Sequence, residues 1–167
     1  MKILCNQEFD RVDWEMVYKT LNNVPQLFQV WACKQGMGIA CPVEWDRSVV
    51  RKCPSCTIAR DTCKHVLHCR SEGRVETLRH TLDLTKEWLE DKETNPELLD
   101  CIIELAHGRG RKTMGKICEG LDQRFIRMAK EQDSIGWRRF MEGMICKSMR
   151  RIQTKYHYWE GTITNPA

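Results

Sequence analysis

The chain has 167 residues, 41% of them hydrophobic and 30% charged, with a formal net charge of +4. That length suits one domain of ordinary size, or a small module pinned to a helical body. No apolar run approaches the roughly 18 to 20 residues needed to span a bilayer, and Met1 to Asp10 lacks the apolar centre and cleavage site of a secretory signal.

Along the chain, Asp13 is positioned as an N-cap for a helix that carries Trp14, Val17, Tyr18 and Leu21 on one face. Asn22, Asn23 and Val24 end it. Pro25 can start a second helix with Leu27, Val30 and Trp31, which Gly36 and Gly38 stop. A helix, short turn and helix also describes a helix-turn-helix reader, although plain helical cores show the same pattern more often. Residues 39–52 read as irregular, with Pro42 and the basic residues Arg47, Arg51 and Lys52. A cysteine and histidine cluster follows, from Cys53 to Cys69.

The next apolar positions are Val75, Leu78, Leu82, Thr85 and Leu89, with Trp88 beside them, and they predict a long amphipathic helix. Asn95 and Pro96 mark a new start, with Leu98, Leu99, Ile102, Ile103 and Ala106 as its stripe. A basic glycine loop runs from Gly108 to Lys112. Met114, Ile117, Leu121, Phe125 and Met128 form another helical stripe, which Gly120 breaks or bends. Trp137, Phe140, Met141, Met144, Ile145, Met149 and Ile152 form the last and strongest. Sustained alternation of period two is absent, so the expectation is a mostly α, multi-helix fold with little or no sheet. The expected organisation is an N-terminal helical pair at 1–38, a metal-binding module at 39–72 and a C-terminal helical domain at 73–167, or one compact unit made of all three.

Ten cysteines are many for this length. Without a secretory signal, the six single ones (Cys5, Cys33, Cys41, Cys101, Cys118, Cys146) read as small buried hydrophobes in a reducing setting, nuclear or cytoplasmic. The clustered ones read differently. Cys53-Pro54-Ser55-Cys56 is a CxxC, His65 follows and Cys69 lies four residues later. Two close pairs joined by a loop supply a tetrahedral ion with little strain, and positions 65 and 69 share a face if that segment is helical. The expected ion is Zn2+, held by Cys53, Cys56, His65 and Cys69. A site closed by four protein ligands is structural rather than catalytic. Cys63 and His68 are competing ligands in the same stretch. A thioredoxin-like redox pair would need a preceding strand, which is not evident.

Charge is segregated along the chain. From Glu76 to Glu104 there are nine acids against three bases, and from Arg109 to Lys155 thirteen Lys and Arg against five acids. This is either a solvated helix face or a surface that meets phosphates. No polymerase, P-loop or dinucleotide motif is present, and the carboxylates lie on charged helices without an apolar setting to tune them. The chain reads as a non-enzyme.

The run Cys53-Pro54-Ser55-Cys56, then Asp61-Thr62-Cys63-Lys64-His65-Val66-Leu67-His68-Cys69, resembles the zinc-binding segment that follows the polymerase in many non-LTR reverse transcriptases. It departs from that pattern in Thr57, where Gly is usual, and in Cys63 among the variable positions. Trp31-Ala32-Cys33-Lys34, Trp88-Leu89 and Gln132-Asp133-Ser134-Ile135-Gly136-Trp137, with Phe140 and Gly143, are similar to reading frames repeated in eukaryotic genomes beside such elements. This wider likeness runs from about Trp31 to Gln153.

The resemblance and the charge pattern together imply an accessory module from a reverse-transcribing mobile element that binds RNA or DNA. Its expected phosphate contacts are Arg109, Arg111, Lys112, Arg138, Arg139, Arg150 and Arg151, with stacking from Trp137 and Phe140. Arg51, Lys52, Arg60 and Lys64 form a second basic patch. The alternatives are a protein-interaction module, docking a basic partner on the acidic helix around Glu87, Glu90, Asp91 and Glu93, or a decayed copy without function. Neither a membrane nor a small-molecule substrate is expected.

Overall fold

A computed structural model describes residues 5–36 and 52–163. Among the described residues there are ten α-helices and no strand, only isolated antiparallel bridges between Val12 and Cys146 and between Lys52 and Arg60. The mostly α expectation is met. The calls on Gly38, Cys41, Pro42, Arg47 and Arg51 lie outside the described residues. No helix among the described residues is long and apolar enough to cross a membrane.

The chain divides into two compact units, one from 14–80 and one from 5–13 together with 81–163. The division falls inside one helix, between His80 and Thr81. Residues 5–13 therefore group with the C-terminal helices and not with the helical pair that follows them in sequence.

The first unit contains α2 (Trp14–Asn22), α3 (Gln26–Gly36), the short α4 (Cys63–His68) and the start of α5 (Glu72–Asp91). The Pro25 carbonyl accepts the first backbone bond of α3, from Gln29 N–H at 3.1 Å, so proline stands just before the helix it was expected to open. Tyr18, Leu27 and Val30 are exposed.

The second unit has the apolar core. Its helices are α1 (Asn6–Arg11), the rest of α5, α6 (Pro96–His107), α7 (Met114–Ile117), α8 (Gln123–Ile135), α9 (Trp137–Met141) and α10 (Lys147–Ile163). Asn95 caps α6 through its side-chain oxygen, which accepts Leu98 N–H at 2.9 Å, and Pro96 follows at the first turn. The buried face of α6 is Leu98, Leu99, Cys101, Leu105 and Ala106, rotated slightly from the expected stripe because Cys101 turns inward in place of Ile102 and Ile103. Helix α8 buries Phe125, Met128, Ala129, Gln132 and Ile135 and packs against α1, α7, α9 and α10.

Both long stripes expected after Lys112 are interrupted. Gly120 takes φ +86 and separates α7 from α8, and Gly143 takes φ +86 between α9 and α10. These are left-handed conformations that glycine adopts without a Cβ penalty. The second break is held open by Gln132. Its side-chain oxygen accepts Cys146 N–H at 2.9 Å, and its amide nitrogen donates to the Met144 carbonyl at 3.3 Å. Asp13 N–H adds a bond to the Ile145 carbonyl at 2.9 Å. The Gln132–Trp137 segment is thus accounted for structurally. Asp133 accepts the Met114 and Gly115 N–H groups at 2.7 and 2.8 Å, at the start of α7, and Trp137 Nε1–H donates to the Leu105 carbonyl at 2.9 Å.

Cys101, Cys118 and Cys146 are buried, as expected of isolated cysteines, whereas Cys5 and Cys33 are exposed. Cys101 and Cys118 meet at 3.6 Å between sulfurs, and that contact together with burial pushes the Cys101 thiol up and keeps it protonated. Burial pushes Cys146 up to about 12.

Candidate metal centre

The site begins with a knuckle. Thr57 N–H donates to the Cys53 carbonyl at 2.8 Å, folding the CxxC into a tight turn, and Cys53 N–H donates to the Ala59 carbonyl at 2.8 Å. The bridge between Lys52 and Arg60 closes its base. Thr57 itself takes φ +58. A β-branched residue is poorly suited to that region, which glycine enters without a Cβ penalty. The turn forms here with threonine, whose hydroxyl bonds the Cys56 carbonyl at 2.7 Å.

The other two candidate ligands are His65 in α4 and Cys69 just after it. Thr62 is its N-cap, with its hydroxyl accepting His65 N–H at 3.0 Å. That cap places His65 in the first turn of α4, and Cys69 follows directly as the C-cap residue. The Cys53 and Cys69 sulfurs are 3.8 Å apart, and the Cys56 sulfur lies 3.3 Å from His65 Nε2. All four candidate ligand atoms lie within 4.8 Å of one another, an arrangement that could hold a metal ion.

The two competing ligands are placed elsewhere. Cys63 is buried but outside the cluster, and His68 is exposed with Nδ1 against the Lys64 carbonyl at 2.9 Å.

The surroundings favour thiolates, the form that binds metal. The Cys56 backbone N–H, hydrogen-bonded to the Cys53 sulfur, lowers the Cys53 thiol against the opposing effect of burial. The Ser71 hydroxyl, 3.4 Å from Cys69, together with the Ser71 backbone N–H brings that thiol down to about 7. Arg74 of α5 donates to the Ser55 hydroxyl at 2.9 Å and braces the knuckle from outside. Ser71 and Arg74 were not singled out from the sequence. Their spacing from the ligands carries no signal until α5 is in place.

The basic residues expected to meet phosphates divide into two groups. Arg138 and Arg139 both pair with Glu142, each at 2.9 Å, and the Glu142 side chain is 5% exposed. Arg150 pairs with the buried Asp13 at 2.7 Å. Arg109 is half-buried with φ +50. Lys112 pairs with Glu104, while Arg111 and Arg151 are exposed. In the second patch, Lys52, Arg60 and Lys64 are exposed around the knuckle.

No family model matches this chain, and no curated protein or solved structure is significantly similar to it.

Proposed function

We propose that the chain is a non-enzymatic nucleic-acid-binding module, derived from a reverse-transcribing mobile element, whose first unit is built on a structural Zn2+. The observation that carries the zinc reading is the 3.8 Å between the Cys53 and Cys69 sulfurs. Zinc–sulfur bonds of about 2.3 Å in a tetrahedron require sulfurs about 3.8 Å apart. The Cys56 to His65 separation of 3.3 Å is close to the mixed sulfur–nitrogen edge of about 3.6 Å expected for the same ion. With three thiolates and one imidazole as ligands, no coordination position remains for a reacting water. Zinc here would fix the fold of the knuckle and α4.

The nucleic-acid reading rests on the excess of thirteen bases over five acids between Arg109 and Lys155 and on the resemblance of the cysteine–histidine run. Arg111, Lys112 and Arg151 are exposed, so they are better placed to meet phosphates than Arg138 and Arg139, which share Glu142. Binding of the zinc-loaded protein to single-stranded and duplex RNA and DNA across a salt series tests this. The reading predicts that the logarithm of the affinity falls linearly with the logarithm of salt concentration. Absence of binding at low salt contradicts it.

One observation favours a protein partner as the second reading. On α5, Leu84 is 52% and Trp88 58% exposed, beside Glu87, Glu90 and Asp91. An apolar strip flanked by acids suits a basic amphipathic segment. Co-purification of such a partner, lost in Trp88→Ala, would favour it.

A further inference from the structure

Helices α8 and α10 pack against each other in the second unit, and a groove of about 320 Å³ is lined by residues from both. Arg124 and Arg127 come from α8, and Arg150, Arg151 and Lys155 from α10. Among the described residues no acid lines the groove, and the buried Ile152 contributes apolar surface. Two of the five cations are already tied down, Arg124 by Asp122 at 3.0 Å and Arg150 by Asp13 at 2.7 Å. Arg127 and Arg151 have no ion-pair partner among the described residues. Like charges gathered this closely repel one another, and a bound anion removes that cost.

We propose that this groove seats the phosphate backbone of a polynucleotide. The inference rests on the nucleic-acid reading above and gives it a location that Arg124, Arg127 and Lys155 did not reveal in the sequence. Four of the five cations are arginines, whose planar forks can pair with phosphate oxygens two at a time. One small anion would engage only some of these five groups, whereas successive phosphates of a chain can engage them in turn. The spacing fits: Arg124 and Arg127 lie one turn apart on α8, and Arg151 and Lys155 one turn apart on α10.

The test compares the full chain with Arg127→Gln/Arg151→Gln and with a control, Lys116→Gln/Lys130→Gln, whose exposed cations lie outside the groove. Each is titrated with fluorescent oligonucleotides over a salt series, and circular dichroism confirms that all three fold. The groove variant should lose roughly tenfold or more in affinity at low salt, and its salt slope should flatten by about 1.4 to 1.8 for two lost phosphate contacts. The control should stay within about twofold of the parent. A groove variant that binds like the parent overturns the location and leaves the nucleic-acid reading standing. Failure of the parent to bind any nucleic acid overturns both. Polyglutamate or inorganic pyrophosphate displacing the oligonucleotide at equal charge concentration would make the groove a general anion site and overturn the polynucleotide assignment.

Discussion

The two units bury different things. In the first, the apolar side chains that are buried among the described residues are Cys53, Cys63 and Cys69. The second buries a continuous set that includes Val12, Leu99, Leu105, Met114, Phe125, Met128, Met149 and Ile152. Among the described residues, the first unit buries a cluster of candidate ligands and the second an ordinary core of helix faces. A small module with too little apolar surface to bury needs another source of stability, and a coordinated ion is such a source. The two units should therefore respond differently to the same treatments.

The largest difference should come from the metal. A strong chelator, or Cys56→Ser, should abolish amide-exchange protection across 52–69 and leave α6, α8 and α10 protected, because metal binding energy at such a site is folding energy. Exchange measured by mass spectrometry separates the two units in one experiment. Equal loss in both would mean that they share one cooperative transition, and no loss in either would mean that the knuckle is stable without an ion.

Phe125→Ala should do the reverse. Phe125 is 1% exposed, and its truncation should cost about 3 to 5 kcal/mol in denaturant unfolding of the second unit. The metal stoichiometry of the first should not change. A smaller effect is expected from Gln132→Leu, which keeps the bulk but leaves Cys146 N–H and the Met144 carbonyl without their partner. Loss of those bonds inside the core should cost about 2 to 3 kcal/mol.

Thr57→Gly should act in the opposite direction. At φ +58, glycine removes a Cβ penalty of about 1 to 2 kcal/mol and adds back about 0.5 to 1 in unfolded-state entropy. The net expectation is a small gain, read as tighter metal retention against a competing chelator.

The smallest effect should be at Asp122, the N-cap of α8. Its hydrogen bond with Arg124 holds the carboxyl below its usual range. A depressed carboxyl stabilises the fold above its unfolded-state pKa, and that contribution fades as pH falls through the folded value. Asp122→Ala should lower the melting temperature at neutral pH, and its difference from the parent should shrink as the solution is acidified below the carboxylate range.

Much of this architecture was legible in the residues, for reasons that differ by region. The α6 start was readable because Asn95 and Pro96 act locally, through one side-chain bond and one fixed dihedral. The cluster of Cys53, Cys56, His65 and Cys69, which could hold a metal ion, was readable because two close-spaced pairs joined by a short loop bring their side chains together. The α1 helix was not readable, since Phe9 is the one apolar residue within it and its partners in α8 lie more than a hundred residues away. The breaks at Gly120 and Gly143 were ambiguous for a related reason. Helical spacing continues through both glycines, and only the bonds from Gln132 and Asp13 show where the second chain segment turns. Arg124, Arg127 and Lys155 were hidden among thirteen bases because ion pairing, which ties up Arg138 and Arg139, depends on tertiary neighbours such as Glu142.

The central claim is that Cys53, Cys56, His65 and Cys69 together hold one metal ion. Titration of metal-free protein with cobalt(II), followed by visible absorption, tests it most directly, because tetrahedral thiolate coordination gives intense bands that octahedral coordination does not. The account predicts saturation at one equivalent, displacement by zinc, loss of the tetrahedral spectrum in Cys69→Ser, and an unchanged spectrum in Cys63→Ser and His68→Ala. A weak octahedral spectrum, or a tetrahedral one that survives Cys69→Ser and disappears in Cys63→Ser, would contradict it.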